Sequence, residues 1–155
     1  MIDPNRFGAD LRLLRDLERQ NDRNPGSDLF ITVRDTTGLA DLETLNGVLN
    51  LQQALLLRIR TRMGELTPLG HPDYGSQLYT LIGELNNDAN RNRAKLFVLQ
   101  ALGAEPRVKS IQSVIVTQNK SDPTRMDISA SLAVIDSDTL LNLVFPFFLG
   151  GGPVQ

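Results

Sequence analysis

A chain of 155 residues with 16 Lys+Arg against 18 Asp+Glu and 41% hydrophobic content reads as one soluble globular domain, long enough to bury about two thirds of its unfolded surface. The near balance of charge gives no general attraction to nucleic acid or anionic lipid. The absence of cysteine excludes disulfides, thiolate catalysis and sulfur-ligated metals, and nowhere do enough apolar residues run together for a membrane span.

Met1-Ile2-Asp3-Pro4-Asn5-Arg6 has an early acid and no apolar stretch behind a basic start, so the expectation is a protein made in the cytosol without a cleaved secretion signal. Leu11, Leu14 and Leu17 are spaced as on a helix, while Leu11 and Leu13 fit strand alternation, and periodicity does not choose between them. Asn24-Pro25-Gly26-Ser27-Asp28 reads as a turn or loop. Leu29-Phe30-Ile31-Thr32-Val33 is a β-rich run bounded by Asp35-Thr36-Thr37-Gly38. The preferred reading is an N-terminal hairpin with strands near 10–15 and 29–34.

From Leu45 the period becomes helical. Leu45, Val48, Leu49, Gln52, Leu55, Leu56 and Ile59 recur at three and four, which leaves Gln53, Arg58 and Arg60 mainly on other faces. Asn46 stands where an N-cap belongs. Thr67-Pro68-Leu69-Gly70-His71-Pro72 must be a loop, because two prolines so close cannot continue a helix. A second helix is expected to restart at Asp73-Tyr74-Gly75-Ser76, with Leu78, Ile82 and Leu85 on one face, and to end at Gly83 and Asn86-Asn87. A third, near 89–102, takes Asp88 as its N-cap, buries Ala94, Phe97, Val98, Ala101 and Leu102, and stops at Gly103.

The remainder reads as sheet. Val108 to Thr117 is apolar enough on both faces for a covered strand, with Ile111 and Ile115 beside Val114 and Val116. After a turn at Asn119-Lys120-Ser121-Asp122-Pro123, the residues Met126, Ile128, Ala130, Leu132 and Val134 alternate with small or polar ones, a strand with one buried face. A third strand runs from Leu140 and ends at Pro146. The predicted fold is therefore a single α+β domain: an N-terminal β-hairpin, three helices, then a three-stranded antiparallel C-terminal sheet, with a flexible tail over 146–155.

Few residues carry chemistry. His71 is the only histidine and, without a second ligand nearby, is expected to position its loop rather than hold a metal. Glu65, Asp73 and Glu84 supply carboxylates, yet nothing sets two of them across a glycosidic bond. Glu105-Pro106-Arg107 is more specific, since two charges in an extended stretch project to one side of a rigid proline. It reads equally as a solvated ion pair at a strand end or as a charged clamp for a partner. Phe145, Phe147 and Phe148 are half of the six phenylalanines; Phe145 belongs in the core, while the other two could anchor the chain end on a neighbour.

Three longer stretches carry a resemblance: Leu56-Leu57-Arg58-Ile59-Arg60-Thr61-Arg62-Met63-Gly64-Glu65-Leu66, then His71-Pro72-Asp73-Tyr74-Gly75-Ser76-Gln77-Leu78 with Leu81-Ile82-Gly83-Glu84, then Glu105-Pro106-Arg107-Val108. In this order they resemble the baseplate wedge protein of contractile phage tails, also called the sheath initiator and historically the acidic tail lysozyme. That family has relatives in type VI secretion and in phage-tail-like injection systems. The similarity covers residues 45–145 and leaves 1–40 as an N-terminal extension. It implies a non-enzymatic part, six copies per baseplate, with no cofactor, metal or nucleic acid. It also implies that Glu105, Pro106 and Arg107 dock on other baseplate wedge proteins. The terminal sheet, through residues such as Ile128, Leu132, Leu143 and Phe145, would accept sheath arms by strand addition, with inner tube or hub proteins as further neighbours. The alternative is a peptidoglycan-cleaving glycosidase, which the lysozyme label suggests.

Overall fold

The alternation from Met126 to Val134 builds the middle of the main sheet. In the computed structural model, which describes residues 6–23 and 28–150, this stretch is strand β6 (Arg125–Val134), and buried side chains alternate with half-buried ones along its whole length. It lies between β5 (Val108–Gln118) and β7 (Leu141–Phe148), antiparallel to both. Two α-helices pack on it, α1 (Gly47–Arg60) and α2 (Asp88–Gly103). Leu51, Leu55 and Leu56 of α1 and Ala94, Val98 and Leu102 of α2 join Met126, Ile128, Leu132 and Leu143 in one core. Each large side chain removed from water in this way contributes about 1.5–3 kcal/mol.

The N-terminal part departs from expectation. Strand β1 (Ala9–Leu11) pairs with β4 (Thr44–Asn46), and β2 (Ile31–Val33) pairs with β3 (Ala40–Leu42), so the described residues form two α-helices and three sheets. The Asp35 to Gly38 signal bounding the β-rich run is itself the hairpin turn. Gly38 sits at φ +67 and its N–H donates to Arg34 O at 2.7 Å, a left-handed step that glycine makes at no steric cost. The turn read at 24–28 lies, apart from Asp28, outside the described residues, as does the tail beyond Gly150; the first part of the tail read as flexible over 146–155 is instead the end of β7, followed by a buried Leu149.

The second helix shrinks to a 3₁₀ turn over Leu78–Leu81. Gly75, at φ +118, brings the chain so close to the end of α1 that a Cβ would lie 2.6 Å from Thr61 O. Ser76 then bridges to Arg62, and this extended pairing uses the main-chain groups a helix would need. Capping differs too: Asn46 makes no side-chain cap bond. Asn87, rather than Asp88, caps α2, its side chain accepting from Asn90 N at 2.8 Å. Gly103 is the last residue of α2, one position short of the cap.

On α1 the buried face is rotated from the predicted stripe. Val48 and Leu49 are exposed, whereas Gln53 is buried. The cause is the segment from Phe7 to Gln20, which lies along the helix as a strap. Gln53 Oε1 accepts from Leu13 N at 2.8 Å and Leu14 N at 3.1 Å, and its Nε2 donates to Leu11 O at 2.8 Å. Gln52 donates to Leu17 O and Asn142 O, and Asn50 to Phe7 O. Buried amides are retained only where hydrogen-bonded, and here the strap backbone supplies the partners.

The two edges of the main sheet differ. Along the outer edge of β7, Asn142 O and Val144 O already accept from Gln52 and from Gln20 N. Pro146 lies inside β7 rather than ending it; it shares their parity, so its missing N–H faces outward and costs the ladder nothing. The β5 edge is open. Contrary to the covered-strand reading, only Val114 of β5 is buried and Ile115 is 55% exposed. Asn119 N bonds Arg125 O inside the ladder, so by alternation the N–H groups of Val114, Val116 and Gln118 point away from β6.

Candidate functional site

After α2 the chain reverses through a β-turn, Val108 N donating to Glu105 O at 3.0 Å. Pro106 occupies the second position, where its fixed φ suits the turn. The tripeptide is thus a tight turn, not the extended strand start expected from spacing. Glu105 is 6% exposed, and its two oxygens serve different arginines. Oε1 accepts from Arg107 Nε at 2.7 Å, and Oε2 from Arg58 Nη2 at 3.3 Å. Arg58 also lies 4.4 Å over the Tyr74 ring, a cation–π contact, while Arg107 Nη1 donates to Phe7 O at 3.3 Å. One carboxylate therefore ties α1, the strap and the α2–β5 turn together, with Tyr74 stacked on Arg58 beside them.

The electrostatics follow from this geometry. Burial pushes the Glu105 carboxyl up, but the Arg107 side-chain hydrogen bond and charge, the Arg107 backbone N–H and the Arg58 charge outweigh it and hold it below its ordinary value. Burial raises the Tyr74 phenol; Glu105 adds to this, while Arg58 and Arg107 oppose it. Glu105 is thus neither a solvated ion-pair member nor a carboxylate displayed to a partner. What the turn displays is Pro106, exposed, and the outer part of Arg107, whose side chain keeps 27% of its accessibility. An open depression of about 310 Å³ is lined by Arg58, His71, Asp73, Tyr74 and Ala104 among others.

The remaining predicted residues are not gathered at this site. Ile128, Leu132, Leu143 and Phe145 are core side chains, and β6, with both edges paired, has no free edge for an added strand. Phe147 and Phe148 lie half-buried in β7, with Arg23 stacked 4.2 Å from the Phe148 ring. Glu65, Asp73 and Glu84 are exposed, and Glu65 accepts from Arg62 N. His71 sits in an exposed loop, its backbone N–H donating to Leu66 O. Among the described residues no group of three His, Asp or Glu is placed to hold a metal, and no helix is long and apolar enough to cross a membrane. Sequence reasoning missed Arg58 and Tyr74 as members of the cluster. The available signal was that each lies in another of the stretches that carry the same family resemblance as the Glu-Pro-Arg turn.

No family model and no curated protein matches the chain. A solved structure does. The chain is similar to a candidate tail lysozyme from Geobacter sulfurreducens, with a TM-score of 0.54 and 26% identity over 63% of this chain and 86% of that one.

Proposed function

We propose that this protein is a phage-tail-related structural part: a baseplate component of a contractile injection machine that joins wedge proteins to the sheath. The observation that carries the reading is the internal saturation of Glu105 by Arg58 and Arg107. A turn locked by a buried charge cluster is a rigid platform, and rigidity lowers the entropy lost on docking. On it Pro106 and the free side of Arg107 face outward for the wedge proteins. The likeness to a candidate tail lysozyme supports the tail context. Sheath arms add to the outer edge of β5, where a row of N–H and C=O groups is open, rather than to the occupied edge of β7. Six copies around a central tube, with tube or hub proteins inside, complete the arrangement.

The neighbour's description favours a second reading, cleavage of peptidoglycan. Such chemistry needs two carboxyls flanking the bond, one of them with a raised pKa. The one buried carboxyl among the described residues, Glu105, is shifted the other way. Co-expression with the wedge proteins of a contractile tail tests the adaptor reading: co-purification with them supports it, and elution of the chain alone contradicts it.

A further inference from the structure

The last turn of α1, the 3₁₀ turn at Leu78–Leu81 and the end of β7 enclose a groove of about 290 Å³. Its floor is apolar, with Ile59, Leu78 and Phe145 all buried. Arg23, Arg60 and Arg62 line it, and no acidic residue does. Seven arginines elsewhere in the described residues are paired with carboxylates, in a chain where acids outnumber bases. The guanidinium contacts of these three are with neutral groups, although the Arg23 charge is felt at Asp122 and the Arg62 backbone N–H donates to Glu65. Arg60 donates to the Gln20 amide at 3.3 Å, Arg23 donates to Gly150 O at 2.7 Å, and Arg62 stands 5.7 Å over the Tyr79 ring. Arg60 is open to solvent at the groove mouth, yet the surrounding walls displace enough water to lower its pKa.

Guanidinium groups in this setting favour carboxylates, which accept paired, charge-assisted bonds in the plane of the fork. A small inorganic anion would leave the apolar floor wet. We propose that the groove binds an acidic, partly apolar segment of a partner protein, with Arg60 and Arg62 taking carboxylates and the floor between Ile59, Leu78 and Phe145 taking an apolar side chain. This surface shares no residue with the Pro106–Arg107 turn or with the β5 edge, so it stands or falls separately from them.

The test is a fluorescence-anisotropy titration of the full chain into a short labelled peptide that alternates glutamate and leucine. Saturable binding is expected, weakening as salt is raised, about tenfold weaker in Arg60→Gln and weaker again in Arg60→Gln/Arg62→Gln, but unchanged in Arg19→Gln. If Arg60→Gln fails to fold, Arg60→Lys, which keeps the charge without the fork, must still lose affinity. Absence of saturable binding overturns the proposal, as does equal affinity in the double variant. So does displacement by inorganic phosphate as effective as by unlabelled peptide, or equal binding of a polyglutamate peptide without leucine.

Discussion

Glu105 accepts from Arg58 across a sequence separation of 47 residues, at 3.3 Å, and this contact makes the turn after α2 an internal brace. Removing the carboxylate leaves two arginines without their partner in a poorly hydrated site. Glu105→Gln is expected to cost about 3 kcal/mol, within the range for breaking a buried pair from one side, and to lower Tm by about 6–12 °C. Thermal unfolding at neutral pH checks it. The acid limb supplies a second reading of the same contact. Because the folded-state pKa of Glu105 lies below its ordinary value of 4.5, its contribution is fully present above that value and is lost as pH falls through the folded pKa. Glu105→Gln should therefore flatten the loss of stability below about pH 4.5, measured by denaturant midpoints across that range.

The strap is held by side chains of α1, above all Gln53. Gln53→Ala removes three hydrogen bonds to Leu11, Leu13 and Leu14 and strands buried backbone groups, at a cost of about 2–4 kcal/mol. Hydrogen exchange reads the effect locally: the amides of Leu13 and Leu14 should exchange faster in the variant, while those of β6 keep their rank as the slowest.

What the sequence made legible, and what it hid, follows from where the information lies. Alternation along Met126–Val134 names its own buried face, and the spacing of Ala94, Val98, Ala101 and Leu102 does the same for α2, so both elements were readable. Gln53 looked like a surface residue because its partners lie about 40 positions earlier in a strap with no regular period. Leu78, Ile82 and Leu85 had helical spacing, but the close approach of Gly75 to Thr61 diverts the chain into a 3₁₀ turn. Three-residue strands show too little alternation to name a partner, and the N-terminal strands were therefore mispaired. Glu105-Pro106-Arg107 was visible as a motif. Whether its acid faced inward or outward depended on Arg58 and Tyr74, whose proximity arises only in the fold.

The glycosidase reading makes a prediction of its own. On the adaptor account the purified chain does not clear a peptidoglycan suspension. Clearing by the parent chain that disappears in Glu65→Gln or Glu84→Gln would establish the hydrolase instead.

The most direct measurement reconstitutes baseplates from the wedge and sheath proteins of a contractile tail with Pro106→Glu or Val116→Pro in this chain and images the particles by electron microscopy. Pro106→Glu puts a carboxylate on the exposed face of the turn and removes neither partner of the buried Glu105; Val116→Pro removes an outward N–H from β5 with no internal ladder bond at stake. The account predicts that Pro106→Glu is folded but missing from baseplates, and that Val116→Pro is incorporated but supports no sheath. Baseplates that include Pro106→Glu and carry full-length sheath would contradict it.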